Sequence, residues 1–139
     1  MSVHYLADKS ALSRLPHPSV EQRLGPLLLA GEVATCGIVE IEILYSAKSH
    51  ADLVAVRREH RAAFPSIPIG QRDFDRAIDL MEALAGAGKH RGAGIPDLLL
   101  AAVAERTGLT LLHYDRDFDL IAAHSRLKAS WIVPRGSVP

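Results

Sequence analysis

The chain has a single cysteine, Cys36, among 139 residues. That excludes an internal disulfide and a thiolate zinc cluster, and it suits a reducing, cytoplasmic setting. Cys36 reads as a small buried hydrophobe, since no helix start or cation stands beside it to make a nucleophile. Neither sign of charge is in excess: 16 Lys and Arg balance 16 Asp and Glu. Bulk charge therefore draws the chain neither to nucleic acid nor to an acidic membrane, and contact with a polyanion must come from a local patch. No apolar run approaches the ~18 residues of a membrane span. The N-terminal Met-Ser-Val-His-Tyr-Leu-Ala-Asp is too short and too early charged for a secretion signal. The histidines include no His-Glu-x-x-His pair, and no Gly-x-Gly-x-x-Gly or Walker loop follows a strand. Gly86 to Gly94 precedes a helix but lacks the Gly-Lys-Ser/Thr ending.

What remains is an ordinary globular composition, 48% hydrophobic and 23% charged, long enough for one core. One domain over residues 1–139 is expected. Its last few residues, including Val-Pro-Arg-Gly-Ser at 133–137, are either a native tail or a cleavage linker. Short apolar strands are expected at Val3 to Ala7, Val33 to Cys36, Leu109 to Leu112 and from Trp131, with a brief extended piece near Ile67. Helices are expected from Ser10, over Val20 to Ala30, Ile38 to Lys48, Ala51 to Phe64, Arg72 to Ala85, from Pro96, and over Phe118 to His124. For Arg72 to Ala85 the spacing puts Phe74, Ala77, Ile78, Met81 and Leu84 or Ala85 on the inner face. Leu98 to Ala104 is apolar nearly all round and should be buried. Alternating strands and helices indicate a three-layer α/β/α domain around a mainly parallel sheet of four or five strands.

Leu109-Thr-Leu-Leu-His-Tyr-Asp-Arg-Asp-Phe118 organises the rest. An apolar strand ends abruptly in Asp115 and Asp117, where open α/β sheets place their sites. On an extended chain the two would point the same way. Read alone, the segment is better explained by an aspartate capping the next helix, a common turn residue. Asp8 and Asp97 share its context, since each stands at the exit of a strand or the start of a helix, and Glu42 can reach the same edge. Each has a plain alternative: helix-dipole stabilisation for Asp97 and simple exposure for Glu42. Glu40 and Glu42 are about 200° apart on a helix, so only one can face the cleft. Two carboxylates ~4 Å apart repel by roughly 4 kcal/mol at an effective dielectric of 20. A group of such acids without adjacent Lys or Arg protonates, splays apart or takes a hard cation, and oxygen-only ligands suit magnesium or manganese. Ser10 either helps hold a metal-bound water or caps a helix.

The chain resembles the PIN-domain family, and within it the VapC-type ribonuclease toxins. The pieces that carry this are Asp8 with Ser10 after an early strand, Glu-Ile-Leu-Tyr-Ser-Ala from Glu42, Ile-Pro-Asp-Leu-Leu-Leu-Ala-Ala around Asp97, and His-Tyr-Asp-Arg-Asp-Phe around Asp115 and Asp117. The resemblance implies a magnesium-dependent endoribonuclease, manganese substituting. Asp8, Glu42, Asp97 and Asp115 match its acidic quartet, and Asp117 a frequent fifth member. It also implies a VapB-type antitoxin whose tail lies in a groove of the toxin, a toxin homodimer, and an RNA substrate. Candidate phosphate contacts are Lys89, His90 and Arg91, with Lys48, Arg57, Arg58 and Arg61 left open. His113 stands where many relatives carry a small hydroxyl residue and is expected to alter water or phosphate positioning. Ser46 stands where many carry glycine. A catalytically inactive PIN-like binding module is the alternative, as is an aspartyl-phosphate enzyme, for which Lys9 is poorly placed.

Overall fold

A computed structural model describes residues 2–139. In chain order the elements are β1 (Tyr5–Ala7), α1 (Lys9–Leu12), α2 (Pro18–Leu29), β2 (Val33–Cys36), α3 (Gly37–Tyr45) and α4 (His50–Ala63). Then follow β3 (Ser66–Ile67), α5 (Gln71–Gly86), α6 (Ile95–Thr107), β4 (Thr110–His113), α7 (Asp117–Ala123) and β5 (Ala129–Trp131). All five strands pair in parallel, in the order β3-β2-β1-β4-β5. The expected three-layer architecture is present, at the upper strand count.

The strands are apolar without alternation because both faces of the sheet are covered. Successive side chains still take opposite sides. Leu6, Ala34, Cys36 and Leu111 face a layer containing Leu80 and Leu84 of α5, Leu98 to Ala104 of α6, and Phe118 and Ile121 of α7. Ala7, Val33 and Leu112 face Ala11 of α1 with Val20 and Leu24 of α2. Cys36 is fully buried, and that burial pushes its thiol pKa up, as expected of an inert core residue. α6 ends at Gly108, whose φ of 70° is the left-handed conformation that glycine adopts without strain.

The inner face of α5 meets expectation at Ala77, Met81 and Leu84 and departs from it at Phe74 and Ile78. Phe74 and Ile78 are 49% and 61% exposed, and the buried positions are Asp73, Leu80 and Leu84. The reason is electrostatic. Asp73 takes a bidentate ion pair from Arg106 at 2.7 and 3.1 Å, which turns the Asp73 stripe toward α6 and leaves its neighbour outside.

Strand order reverses at β1, with β2 and β3 to one side and β4 and β5 to the other. The crevice beyond the carboxyl ends of β1 and β4 is where such sheets bind ligands. Asp8 immediately follows β1, and its N–H donates to Leu112 O at 2.9 Å, fixing it beside the end of β4.

Candidate metal centre

Four acids from four parts of the chain line one cleft of about 330 Å³: Asp8, Glu42, Asp97 and Asp115. Each arrives by a different local device. Asp8 is the N-cap of α1, its carboxylate accepting from Ser10 N at 3.0 Å, and it is only 4% exposed. Ser10 is therefore not the cap. Its hydroxyl donates to Asp8 Oδ2 and accepts from Tyr114 N at 2.8 Å, tying the Asp8 carboxylate to the loop after β4. Glu42 looks into the cleft from α3, while Glu40, about 200° away, takes a bidentate pair from Arg61 at 3.1 Å. Asp97 is the third residue of α6, after Pro96 in the first turn. A Cβ at Gly94 would lie 3.4 Å from Asp97 Oδ2, so the backbone closes tightly over this carboxylate.

Asp115 and Asp117 do converge, although not through an extended chain. Asp117 is already the first residue of α7, and its N–H donates to Asp115 Oδ1 at 2.9 Å. The alternative of a capping aspartate is not realised, since the N-cap of α7 is Arg116 and no side chain caps it; the Asp115 side chain instead turns the chain ahead of the helix and lines the cleft. Ligand atoms of Asp97, Asp115 and Asp117 all lie within 4.8 Å of one another.

Burial, reinforced by the charges of Asp8, Asp115, Asp117 and Glu42, raises the Asp97 pKa to about 8. Burial likewise raises Asp8, against the opposing Ser10 hydrogen bonds, with Asp115 adding to the rise. Glu42 is raised by burial and by Asp8, with Lys9 opposing. Two cations reach the cleft wall, and neither is bound to one of these acids. Lys9 Nζ donates to Ser46 Oγ at 2.8 Å. Arg14 lies 4.5 Å from the centroid of the Tyr114 ring and donates to Ser10 O at 2.8 Å. An all-oxygen donor set, crowded and ion-paired to neither cation, fits a hard divalent cation.

His113 corrects an expectation. Its ring is fully buried, 5.1 Å from Phe118 and 5.0 Å from Trp131 between centroids, and offers no surface to a substrate. Its Nδ1 accepts from Asp115 N at 3.1 Å, the bond a small hydroxyl could also make, so it shapes the Asp115 turn from behind. Nε2 has no partner among the described residues, and burial lowers the pKa, so the ring is neutral. Lys89, His90 and Arg91 are exposed on the loop before α6 and lie outside the cleft lining. Lys9 and Tyr114 were not singled out from sequence as site residues. The signal for Lys9 was its partner Ser46, whose departure from glycine makes sense once the two meet.

The PIN domain family matches residues 5–124. Two relatives from Mycobacterium tuberculosis, Ribonuclease VapC21 and Ribonuclease VapC51, are each 41% identical, over 137 and 142 residues, with 99% of both chains covered. Among solved structures, the DNA-bound VapBC of Salmonella typhimurium matches with a TM-score of 0.76 at 17% identity, covering 94% of this chain and 99% of that one. VapBC2 of Rickettsia felis, bound to a promoter fragment, matches at 0.74 and 18%, covering 94% and 98%. At those identities the structures speak for the fold, and the two ribonucleases speak for the lineage. A sheet that reverses at β1, acids at its carboxyl edge and full-length relatives agree: the chain belongs to the PIN-domain family, in its VapC branch.

Proposed function

We propose that this chain is a metal-dependent endoribonuclease, the toxin of a toxin–antitoxin pair. The observation that carries the reading is a cleft whose five neighbouring carboxylates lack any ion-paired cation among the described residues. Oxygen-only donors favour magnesium, with manganese able to substitute. Bound there, such an ion supplies charge neutralisation for phosphate oxygens and lowers the pKa of water.

Asp97, Asp115 and Asp117 form the tight part of the donor set, with Asp8 and Glu42 completing the wall. Ser10 holds Asp8 in place while itself lining the cleft, and buried His113 holds the Asp115 turn and acts only through that acid. Lys9 spends one of its three donors on Ser46 and keeps two for a phosphate oxygen at the cleft rim. In-line attack by water on the phosphodiester leaves a 5′-phosphate and a 3′-hydroxyl. Lys89, His90 and Arg91 lie just upstream of the Asp97 turn and would meet RNA flanking the cut.

The relatives supply the partners of this reading. An apolar groove of about 290 Å³, lined in part by Leu12, Leu15, Leu28, Ile43, Val56 and Phe64, suits the tail of a VapB-type antitoxin. A smaller recess shares Leu12 and Ile43 and reaches Lys9 and Ser46, so an occupant of the groove would arrive at the cleft rim. Exposed Ile41 and Tyr45 on α3, Phe74 and Ile78 on α5, and Ile95 on α6 suit a homodimer contact. No helix among the described residues is long and apolar enough to cross a membrane. The inactive binding module is disfavoured because every acid of the quartet is present and lines the cleft.

The test is cleavage of structured RNA by the purified chain with magnesium or manganese, followed by mapping of 5′ ends. Cleavage that disappears with chelator and in Asp8→Asn supports the reading. Undiminished cleavage in that variant overturns it.

A further inference from the structure

At the end of α6 remote from Asp97, four arginines and two acids frame a second recess, of about 220 Å³: Arg72, Asp73, Arg76, Glu105, Arg106 and Arg126. We propose that it binds a phosphate group.

The floor of the recess is built from two charge pairs. Glu105, with its side chain 4% exposed, takes Arg76 Nε and Nη2 at 2.7 and 3.1 Å. Asp73, 1% exposed, takes Arg106 Nε and Nη2 at 2.7 and 3.1 Å, and Arg106 Nη2 also donates to Pro68 O. Each carboxylate thereby clamps one edge of a guanidinium and leaves the Nη1 donors uncommitted. Fixed guanidinium forks are what tetrahedral oxyanions are recognised by, because no side-chain freedom is lost on binding.

Fold alone would be served by these two pairs. Arg72 and Arg126 are additional. Both are exposed, and neither side chain donates a hydrogen bond to a described residue. Both charges reach the recess, since Arg72 helps to lower the Asp73 pKa and Arg126 that of Glu105. Four arginines against two acids leave a formal +2 in the lining. Asp79, which also acts on Arg76, lies outside that lining. In a chain of net charge +0, such a local excess is what attracts a polyanion or small phosphate.

The position is informative. Nine residues of helix separate Asp97 from Arg106, roughly 14 Å at 1.5 Å per residue. The recess and the acidic cleft thus lie at opposite ends of one helix. The phosphate can belong to the RNA substrate, in which case the assignment rests on the nuclease reading, or to a free phosphorylated molecule, in which case it does not.

The experiment uses the Arg72→Gln/Arg126→Gln double variant, which leaves both floor pairs intact, with a melting curve to verify the fold. Pyrophosphate is the probe for the free source, titrated calorimetrically in chelator so that the acidic cleft contributes nothing. Binding at least about tenfold weaker in the variant is expected, the equivalent of one lost charge-assisted hydrogen bond. For the RNA source, binding is measured against salt with Asp97→Asn as the non-cleaving background. A slope of log K against log salt reduced by about 1.4, for two lost single-strand contacts, assigns the phosphate to RNA. Weakened pyrophosphate binding with an unchanged slope assigns it to a free ligand. Pyrophosphate binding by a chain that cuts no RNA would leave the recess standing while the nuclease reading fails. The absence of both pyrophosphate binding and a slope change overturns the proposal. Should the double variant melt early, the single variants Arg72→Gln and Arg126→Gln replace it, each expected to reduce the slope by about 0.7 for one lost contact, with the same overturning result.

Discussion

At the carboxyl end of α6, Glu105 and its partner pair Asp73 each receive an arginine fork. At the amino end, Asp97 sits among four other carboxylates and receives none. The residue types are alike and both groups are shielded from water, yet their pKa values move in opposite directions. The Arg76 hydrogen bond leads in holding Glu105 below the ordinary range. For Asp73, burial pushes upward but is outweighed by Arg106, the Gly70 N–H and the charge of Arg72. For Asp97 nothing opposes burial and four like charges, and it reaches about 8. A buried acid with a fork is architecture, and a buried acid without one is a vacancy for positive charge.

The sharpest way to break this comparison is to neutralise one acid at each end. Asp97→Asn is expected to lower RNA cleavage by roughly 10²–10³-fold or more, as for loss of a main electrostatic contact at the reacting phosphate. The same change should raise the melting temperature of the metal-free chain, because it removes repulsion. Arg106→Met works the other way: it strands Asp73 in the core and should destabilise by about 3 kcal/mol in urea titration. If both changes destabilise the metal-free chain alike, the distinction between the two ends fails.

Metal should partly erase the contrast. At a hundredfold excess over its Kd, magnesium or manganese is expected to stabilise the native chain by about 2.7 kcal/mol. Much less is expected for Asp97→Asn, and differential scanning calorimetry with and without chelator compares the two.

The pH dependence follows from the signs. Asp97 has a folded pKa of about 8 against 3.8 for a freely solvated aspartate, so the folded chain binds the extra proton. Its favourable contribution is complete below the unfolded value and fades as pH rises toward 8. Asp73 and Glu105, both lowered, contribute stability that is lost only in acid, as pH falls through their folded values. Buried His60 and His113, both lowered, act against Asp97 below about pH 6.5 but are neutral in both states above it. Between pH 6.5 and 8.5 the metal-free native chain should therefore lose stability more steeply than Asp97→Asn, in which only Asp8 and Glu42, also raised, contribute with the same sign. Denaturant midpoints at the two pH values decide this. The smallest effect expected is for Arg61→Ala. Its pair with Glu40 leaves Arg61 62% exposed, and the change should cost less than about 0.5 kcal/mol and leave metal binding unchanged.

The sheet and the acids were legible because strand exits are written locally: an apolar run and then an aspartate. Geometry on one helix was legible too, as the split between Glu40 and Glu42 shows. What could not be read were contacts between residues far apart in the chain. On α5 the apolar stripe through Ala77, Met81 and Leu84 was legible, but nothing local announces that Arg106, 33 positions from Asp73, will claim it and leave Phe74 and Ile78 outside. His113 looked like a polar group at a site, and only the packing of Phe118 and Trp131 around it shows that it works from behind. The arginine recess draws on α5, α6 and the segment after α7, and has no motif at all.

The bond from Tyr114 N to the Ser10 hydroxyl joins groups 104 positions apart, and β1 lies beside a strand that begins at Thr110. During translation the first aspartate therefore leaves the ribosome long before the strand that will hold it. Because domains form as their parts emerge, a nascent chain lacking β4 has no assembled cleft. A chain interrupted before β4 therefore holds Asp8 without the strand beside it and without the Tyr114 N–H that ties Ser10 in place.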